Sequence, residues 1–151
     1  MSELHKFLFD GQPVRGMLVR LTDSWQQLLA RRAEGAAFAP EVRALVGEMA
    51  AASVLMQANI KFNGALVLQI HGDGPVKLAV AEVQSDLAFR TTATITGAVA
   101  ADAQLEALVN VHGRGRCAIT LDPRDRLPGQ QPYQGIVPLS AGAHGHKREP
   151  M

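Results

Sequence analysis

With 151 residues the chain has the length of about one domain, and 47% hydrophobic against 19% charged residues excludes a disordered polymer. A net charge of +1 excludes the basic excess of a dedicated nucleic-acid or membrane-surface binder. Cys117 is the only cysteine, which rules out an intramolecular disulfide or a cysteine-built zinc site within these residues. Aromatics are 5%, so the core must be aliphatic.

The first element expected is a strand over residues 4–9, turning at Asp10-Gly11 as a two-residue hairpin into a second strand over 14–21. Pro13 stands at the start of that return strand, where a missing N–H is tolerated. Arg15 and Arg20 fall on opposite faces, which puts one of them at an edge. Thr22-Asp23-Ser24 offers N-cap oxygens, and Ser24 with Gln27 has capping-box spacing. Trp25, Leu28 and Leu29 follow at helical spacing, Arg31 and Arg32 suit the helix C-terminus, and Gly35 is expected to end it.

Pro40 opens a second helix, with Glu41 at its positive end and Val42, Leu45, Val46 and Met49 as an apolar stripe. Between Glu48 and Lys61 there is no charge, and residues 49–56 are apolar or small on every side. Such a helix is expected to be buried all round at that end, sandwiched between two sheets. No charge-free run reaches the roughly 20 residues that span a bilayer, and no N-terminal segment has a charged start and a long apolar run. A soluble, cytoplasmic protein is the expectation.

Leu66, Leu68 and Ile70 then alternate with Val67, Gln69 and His71, as in a strand with one buried face. Gly72-Asp73-Gly74-Pro75 breaks the run, and Val76, Leu78 and Val80 resume the alternation. Gln84-Ser85-Asp86 is a second turn, and Leu87, Phe89, Thr91, Ala93 and Ile95 form one face of a strand whose other face is wet. Asp102 is placed to cap a short helix carrying Leu105, Leu108 and Val109. Gly113-Arg114-Gly115 turns the chain into a strand with Cys117, Ile119 and Leu121 on one face. Residues 122–131 read as a loop, 133–137 as a last strand, and 140–150 as a disordered tail. There is no internal repeat.

Few residues carry chemistry. Gly72-Asp73-Gly74-Pro75 could cradle a phosphate through backbone N–H groups, but it lacks the lysine of a P-loop and the glycine spacing of a dinucleotide fingerprint. Gly113-Arg114-Gly115-Arg116 could hold an anion, though Arg124 and Arg126 downstream are balanced by Asp122 and Asp125. His112, His144 and His146 could bind a metal, but two of them lie in the tail, which offers no supporting shell. Cys117 reads as an inert thiol on an apolar strand face. No Ser/His/Asp or paired-carboxylate spacing stands out. The expectation is a chain that is not an enzyme, with no catalytic, cofactor-binding or metal residues.

The order of segments is more telling than any one of them. Val14-Arg15-Gly16-Met17-Leu18-Val19, Lys61-Phe62-Asn63-Gly64, Leu68-Gln69-Ile70-His71-Gly72-Asp73-Gly74-Pro75, Leu78-Ala79-Val80 and Tyr133-Gln134-Gly135-Ile136-Val137 together resemble the N-terminal core domain of the bacterial redox-regulated 33 kDa chaperonin family. The resemblance covers residues 4–137. It implies an α+β fold, layered β/α/β with a buried central helix. It also implies an ATP-independent holdase of the cytoplasm, which binds unfolding client proteins under heat or oxidative stress and prevents their aggregation. In that family a C-terminal zinc domain with paired cysteines is the redox switch, and its oxidation releases zinc and favours dimers.

This chain departs from the family pattern. It has no Cys-x-Cys or Cys-x-x-Cys, so neither zinc nor the redox switch carries over, and no cofactor is expected in it. Residues 1–137 are expected to form a core domain incomplete at its C-terminal end, with 138–151 an off-pattern tail and the linker and zinc domain absent. Uncovered sheet edges would then favour a homo-oligomer, with no nucleic-acid or membrane partner. The rival readings are a phosphate- or nucleotide-binding module or enzyme built on the glycine turns, and an inert scaffold.

Overall fold

The computed structural model describes residues 1–33 and 37–139. The helix stop expected at Gly35 and the tail expected over 140–150 lie outside the described residues. Of the off-pattern stretch expected from 138, Pro138 ends the last strand and Leu139 packs on the core, donating its N–H to the Gly115 carbonyl at 2.8 Å. Ten elements follow in order: β1 (Glu3–Leu8), β2 (Arg15–Arg20), α1 (Asp23–Ala33), α2 (Pro40–Asn59), β3 (Gly64–His71), β4 (Val76–Val83), β5 (Phe89–Ile95), α3 (Leu105–Val109), β6 (Arg116–Pro123) and β7 (Tyr133–Pro138). β1 and β2 make a two-stranded ribbon, and the other five strands make one antiparallel sheet in the order β5-β4-β3-β6-β7. α2 packs against β3, β4 and β5 on one side and β2 on another, so the expected α+β layering of β/α/β is present.

The ribbon turn is longer than the two residues expected. Phe9 N–H donates to the Val14 carbonyl at 3.1 Å, and Gln12 N–H donates to the Phe9 carbonyl at 3.1 Å. Asp10 to Pro13 thus form the loop, with Gly11 at φ +72° supplying the left-handed residue. Pro13 lies in that loop and not in the strand.

The start of α1 also differs from expectation. Ser24 lies inside the first turn, and its hydroxyl faces that of Ser2. The Ser2 hydroxyl accepts the N–H groups of Thr22 at 3.1 Å and Ser24 at 3.4 Å. A residue twenty positions away therefore serves the helix N-terminus, and the capping box of Ser24 with Gln27 is not used. Trp25 lies across Gly47 of α2, where a Cβ would sit 3.1 Å from the ring.

α2 begins at Pro40, as its fixed φ favours. It buries Val42, Leu45, Val46, Met49, Ala50, Ser53, Val54 and Gln57 along one continuous face. The expected burial on all sides of its second half does not hold. Ala52 and Asn59 are exposed, and Leu55 and Met56 are half-buried. A ribbon of two strands is too narrow to cover the whole outer side of a 20-residue helix. The buried Ser53 hydroxyl is satisfied by the Ala50 carbonyl at 3.0 Å.

β3 follows its alternation: Gly64, Leu66, Leu68 and Ile70 are buried. β4 does not. Its register slips between Val76 and Leu78, and a bulge of one residue exchanges the two faces of a strand. Val76 points inward, but beyond the bulge the inward residues are Ala79, Ala81 and Val83, while Leu78 and Val80 are half-buried on the other side. Ala79 lies opposite Ile70 and Ala93, and Ala81 opposite Leu68. These alanines make a shallow floor on which α2 can seat closely. Asp102 does not cap α3: its N–H donates to Glu41 Oε2 at 2.9 Å, and the N-cap position belongs to Gln104.

Candidate functional site

The two glycine turns singled out as anion cradles meet in space, and the protein itself fills them. The Asp73 carboxylate accepts the backbone N–H groups of His112 at 3.0 Å and Arg114 at 2.8 Å through Oδ2. Asp73 N–H donates to the Val109 carbonyl at 3.0 Å. The N–H groups of the second turn are thus occupied by a carboxylate of the first, and those of Gly72 and Asp73 by the Lys77 and Val109 carbonyls. Burial pushes the Asp73 carboxyl up, but the N–H groups of Arg114, His112 and Val111 outweigh it and hold the carboxyl below its ordinary range. The first turn has no room to spare. A Cβ on Gly72 would strike the Val76 carbonyl, and one on Gly74 would lie 2.7 Å from the Leu108 carbonyl oxygen. In the second turn a Cβ on Gly115 would lie 2.6 Å from the Val109 carbonyl oxygen, while Gly113 faces open space.

Asn110, which the sequence reading did not single out, completes this corner. Its buried amide accepts Gly115 N–H at 2.9 Å and donates to Glu106 at 2.8 Å and to the Leu139 carbonyl at 3.0 Å. Glu106 and Gly115 are four and five residues away, but the Leu139 carbonyl is 29 residues on, and that contact no local pattern could have announced. His112 takes part through its backbone only, and His144 and His146 lie outside the described residues. Among the described residues no three His, Cys, Asp or Glu side chains gather as a metal site. Cys117 is half-buried, and burial pushes its thiol above the ordinary value, away from the reactive thiolate.

The feature that stands out is apolar surface. Across β3, β6 and β7 the paired residues Ile70, Cys117 and Val137 share one face of the sheet, as do Leu66, Leu121 and Tyr133. At β3 this face is sealed by α2. At β6 Cys117, Ile119 and Leu121 are only partly covered. At β7 Tyr133 is 67% and Val137 57% exposed, and Ile136 on the reverse face is 60% exposed. The core side of the sheet therefore continues past the helix into the open, and among the described residues it ends at an unpaired edge strand. Tyr133 lies along Gly135, with its hydroxyl 3.6 Å from where a Cβ would stand. A second apolar patch lies on the outer face of the ribbon, where Phe7 covers Gly16, Phe9 packs edge-on to Phe7 at 5.7 Å, and Leu18 is exposed.

Comparison with known proteins agrees with this architecture. The family model described as Hsp33 protein matches residues 2–146. The chain is 48% identical over 148 residues to the 33 kDa chaperonin of Chromobacterium violaceum, covering 98% of this chain and 47% of that protein. It is 46% identical over 143 residues to the 33 kDa chaperonin of Methylobacillus flagellatus, covering 94% and 45% respectively. The chain thus spans about half the length of the curated relatives it matches. The crystal structure of the 33 kDa chaperonin of Thermotoga maritima shares the fold, with a TM-score of 0.68 over 92% of this chain and 46% of that one, at 20% identity. A ribbon and a five-stranded sheet around one helix, and a family model that matches almost from end to end, place this chain in the Hsp33 protein family.

Proposed function

We propose that this chain is an ATP-independent holdase core, which binds unfolding proteins through the open part of its sheet and keeps them from aggregating. The observation that carries the reading is the apolar face of β6 and β7, with Tyr133 and Val137 exposed beside the half-buried Cys117, Ile119 and Leu121, on an edge that is unpaired among the described residues. An unfolded segment is extended and has unpaired backbone groups. It can add to β7 as a further strand and lay alternate apolar side chains on the same face. Each Val- or Leu-sized side chain so covered is worth about 1.5–3 kcal/mol, which is ample for reversible capture. Neither nucleotide nor covalent chemistry is called for. The filled glycine turns speak against the rival phosphate-binding reading.

Clients are unfolding proteins of the cytoplasm, and a homo-oligomer forms where two open edges meet. No metal or other cofactor takes part within this chain. The paired cysteines of a redox switch are not in it, so peroxide leaves its activity unchanged. The test is light scattering from a heated client protein, with and without this chain under reducing conditions. Suppression of scattering is expected. A folded sample that fails to suppress at several-fold excess rejects the proposal. Thermal-shift measurements with ATP and inorganic phosphate are expected to be flat, and a saturable stabilisation by either would revive the rival reading.

A further inference from the structure

On the opposite edge of the sheet from β7 lies an open cleft of about 710 Å³, bounded by the ribbon, α1 and the inner face of β5. This volume is within the ordinary range for small-molecule sites. Its apolar lining is Leu4, Val19, Leu28, Val54 and Phe89, and polar groups of Ser2, Ser24, Gln27 and Thr91 share the wall. Arg31 and Arg32 from the last turn of α1 stand in its wall, and among the described residues neither is in an ion pair. The Arg32 guanidinium carbon lies over the Phe38 ring, 4.4 Å from its centre, a cation–π contact that uses the ring face and none of the guanidinium's N–H donors on an anion. Arg32 Nε and Thr91 Oγ1, both on wall residues, are buried without a hydrogen-bond partner among the described residues. Two other charged residues line the cavity. Glu3 is engaged by His5 at 2.8 Å and Arg90 by Glu82, so the free charge facing a ligand is positive. Leu87, which also lines the cavity, is one of two non-glycine residues with positive φ among the described residues, at 71°.

We propose that this cavity binds an amphipathic carboxylate: an apolar body against Leu4, Val19, Val54 and Phe89, with its carboxylate on the Arg31–Arg32 pair. An apolar cavity alone would accept any oil. A planar, unpaired guanidinium at its wall selects a planar anion that it can grip with two parallel N–H donors. Such a carboxylate also supplies the acceptor that Arg32 Nε lacks. The site is independent of the holdase surface, since β5 and β7 are opposite edges of the sheet.

The test uses the full chain and sodium decanoate below its micelle-forming concentration, followed by calorimetry and thermal shift. Saturable stabilisation by decanoate is expected, with decan-1-ol and decylammonium at least tenfold weaker and acetate without effect. The double substitution Arg31→Gln with Arg32→Gln is expected to weaken decanoate at least tenfold, with only a small fall in the ligand-free Tm from the lost Phe38 contact and helix-end charges. Val19→Trp, which fills the cavity and leaves the charges, is expected to abolish binding, so the proposal stays testable if the arginine variant misfolds. Equal binding of decanol, undiminished binding to either variant, or no saturation would overturn it. So would amide chemical-shift changes centred on residues 117–121 and 133–137 and not on the ribbon, α1 and β5.

Discussion

The Asp73 carboxylate joins two loops 39 residues apart through the His112 and Arg114 N–H groups. It accepts both bonds most strongly while ionised, since the protonated carboxyl keeps only the weaker, uncharged acceptor. Its carboxyl is held below the ordinary range in the folded chain, so the stabilisation is complete above the unfolded value of about 4 and is lost as pH falls through the lower, folded value. Asp23 adds a similar term. Its carboxyl is drawn down to about 2 by the Thr22 hydroxyl first and the N-terminal ammonium second. Comparison of urea melts of the natural chain and Asp73→Asn at about pH 7 and about pH 3 separates the two. The variant is expected to be less stable at neutral pH and to lose less on acidification. Equal pH dependence in both would remove Asp73 from the account. A second residue-scale test is Gly64, where a Cβ would strike the Asp122 carbonyl and lie 2.8 Å from the Phe62 ring. Two backbones pass there, so little can give. Gly64→Ala is expected to cost about 1–3 kcal/mol, measured by urea unfolding.

Among the elements, α2 and the sheet beneath it set the dimensions of the core. Val46 and Ala50 on the helix are fully buried, as are Ala79 and Ala81 on the floor. A helix can rest this close only where side chains below it are small, and the β4 bulge is what turns alanines and not Leu78 and Val80 toward it. Ala81→Leu is therefore expected to overpack the layer and cost about 1–3 kcal/mol, visible as a lower urea midpoint. If the variant is as stable as the parent, the floor is not a close contact. The bulge was not legible beforehand, because Val76, Leu78 and Val80 alternate as well as Ala79, Ala81 and Val83 do, and both sets are apolar. Strand β3 was legible, since Gln69 and His71 mark its outer face.

On the scale of the molecule, the two edges of the sheet are unlike. β5 presents Arg90, Thr92 and Thr94, polar side chains that discourage edge pairing. β7 presents Tyr133, Ile136 and Val137. Ile136→Lys with Val137→Lys is expected to shift the chain toward monomer in size-exclusion light scattering and to weaken suppression of client aggregation severalfold. Because both side chains are exposed, Tm should change little. If client capture survives in a monomeric, folded variant, the binding surface lies elsewhere, and the patch at Phe7, Phe9 and Leu18 is the next to test.

What the sequence by itself determined were the features written in local order. The alternation of Leu66, Leu68 and Ile70, the start of α2 at Pro40, the turn at residues 72–75 and the ordered segments shared with the 33 kDa chaperonins all depend on neighbours along the chain. The tertiary structure alone decided whatever depends on residues far apart. Ser2 serving the start of α1, Asp73 filling a turn 39 residues away, and the exchange of faces in β4 are long-range pairings. No local periodicity encodes them. Exposure of the β7 face is decided in the same way. A strand of Tyr, Ile and Val reads as core, and only the reach of α2 across the sheet shows that these side chains lie beyond its cover.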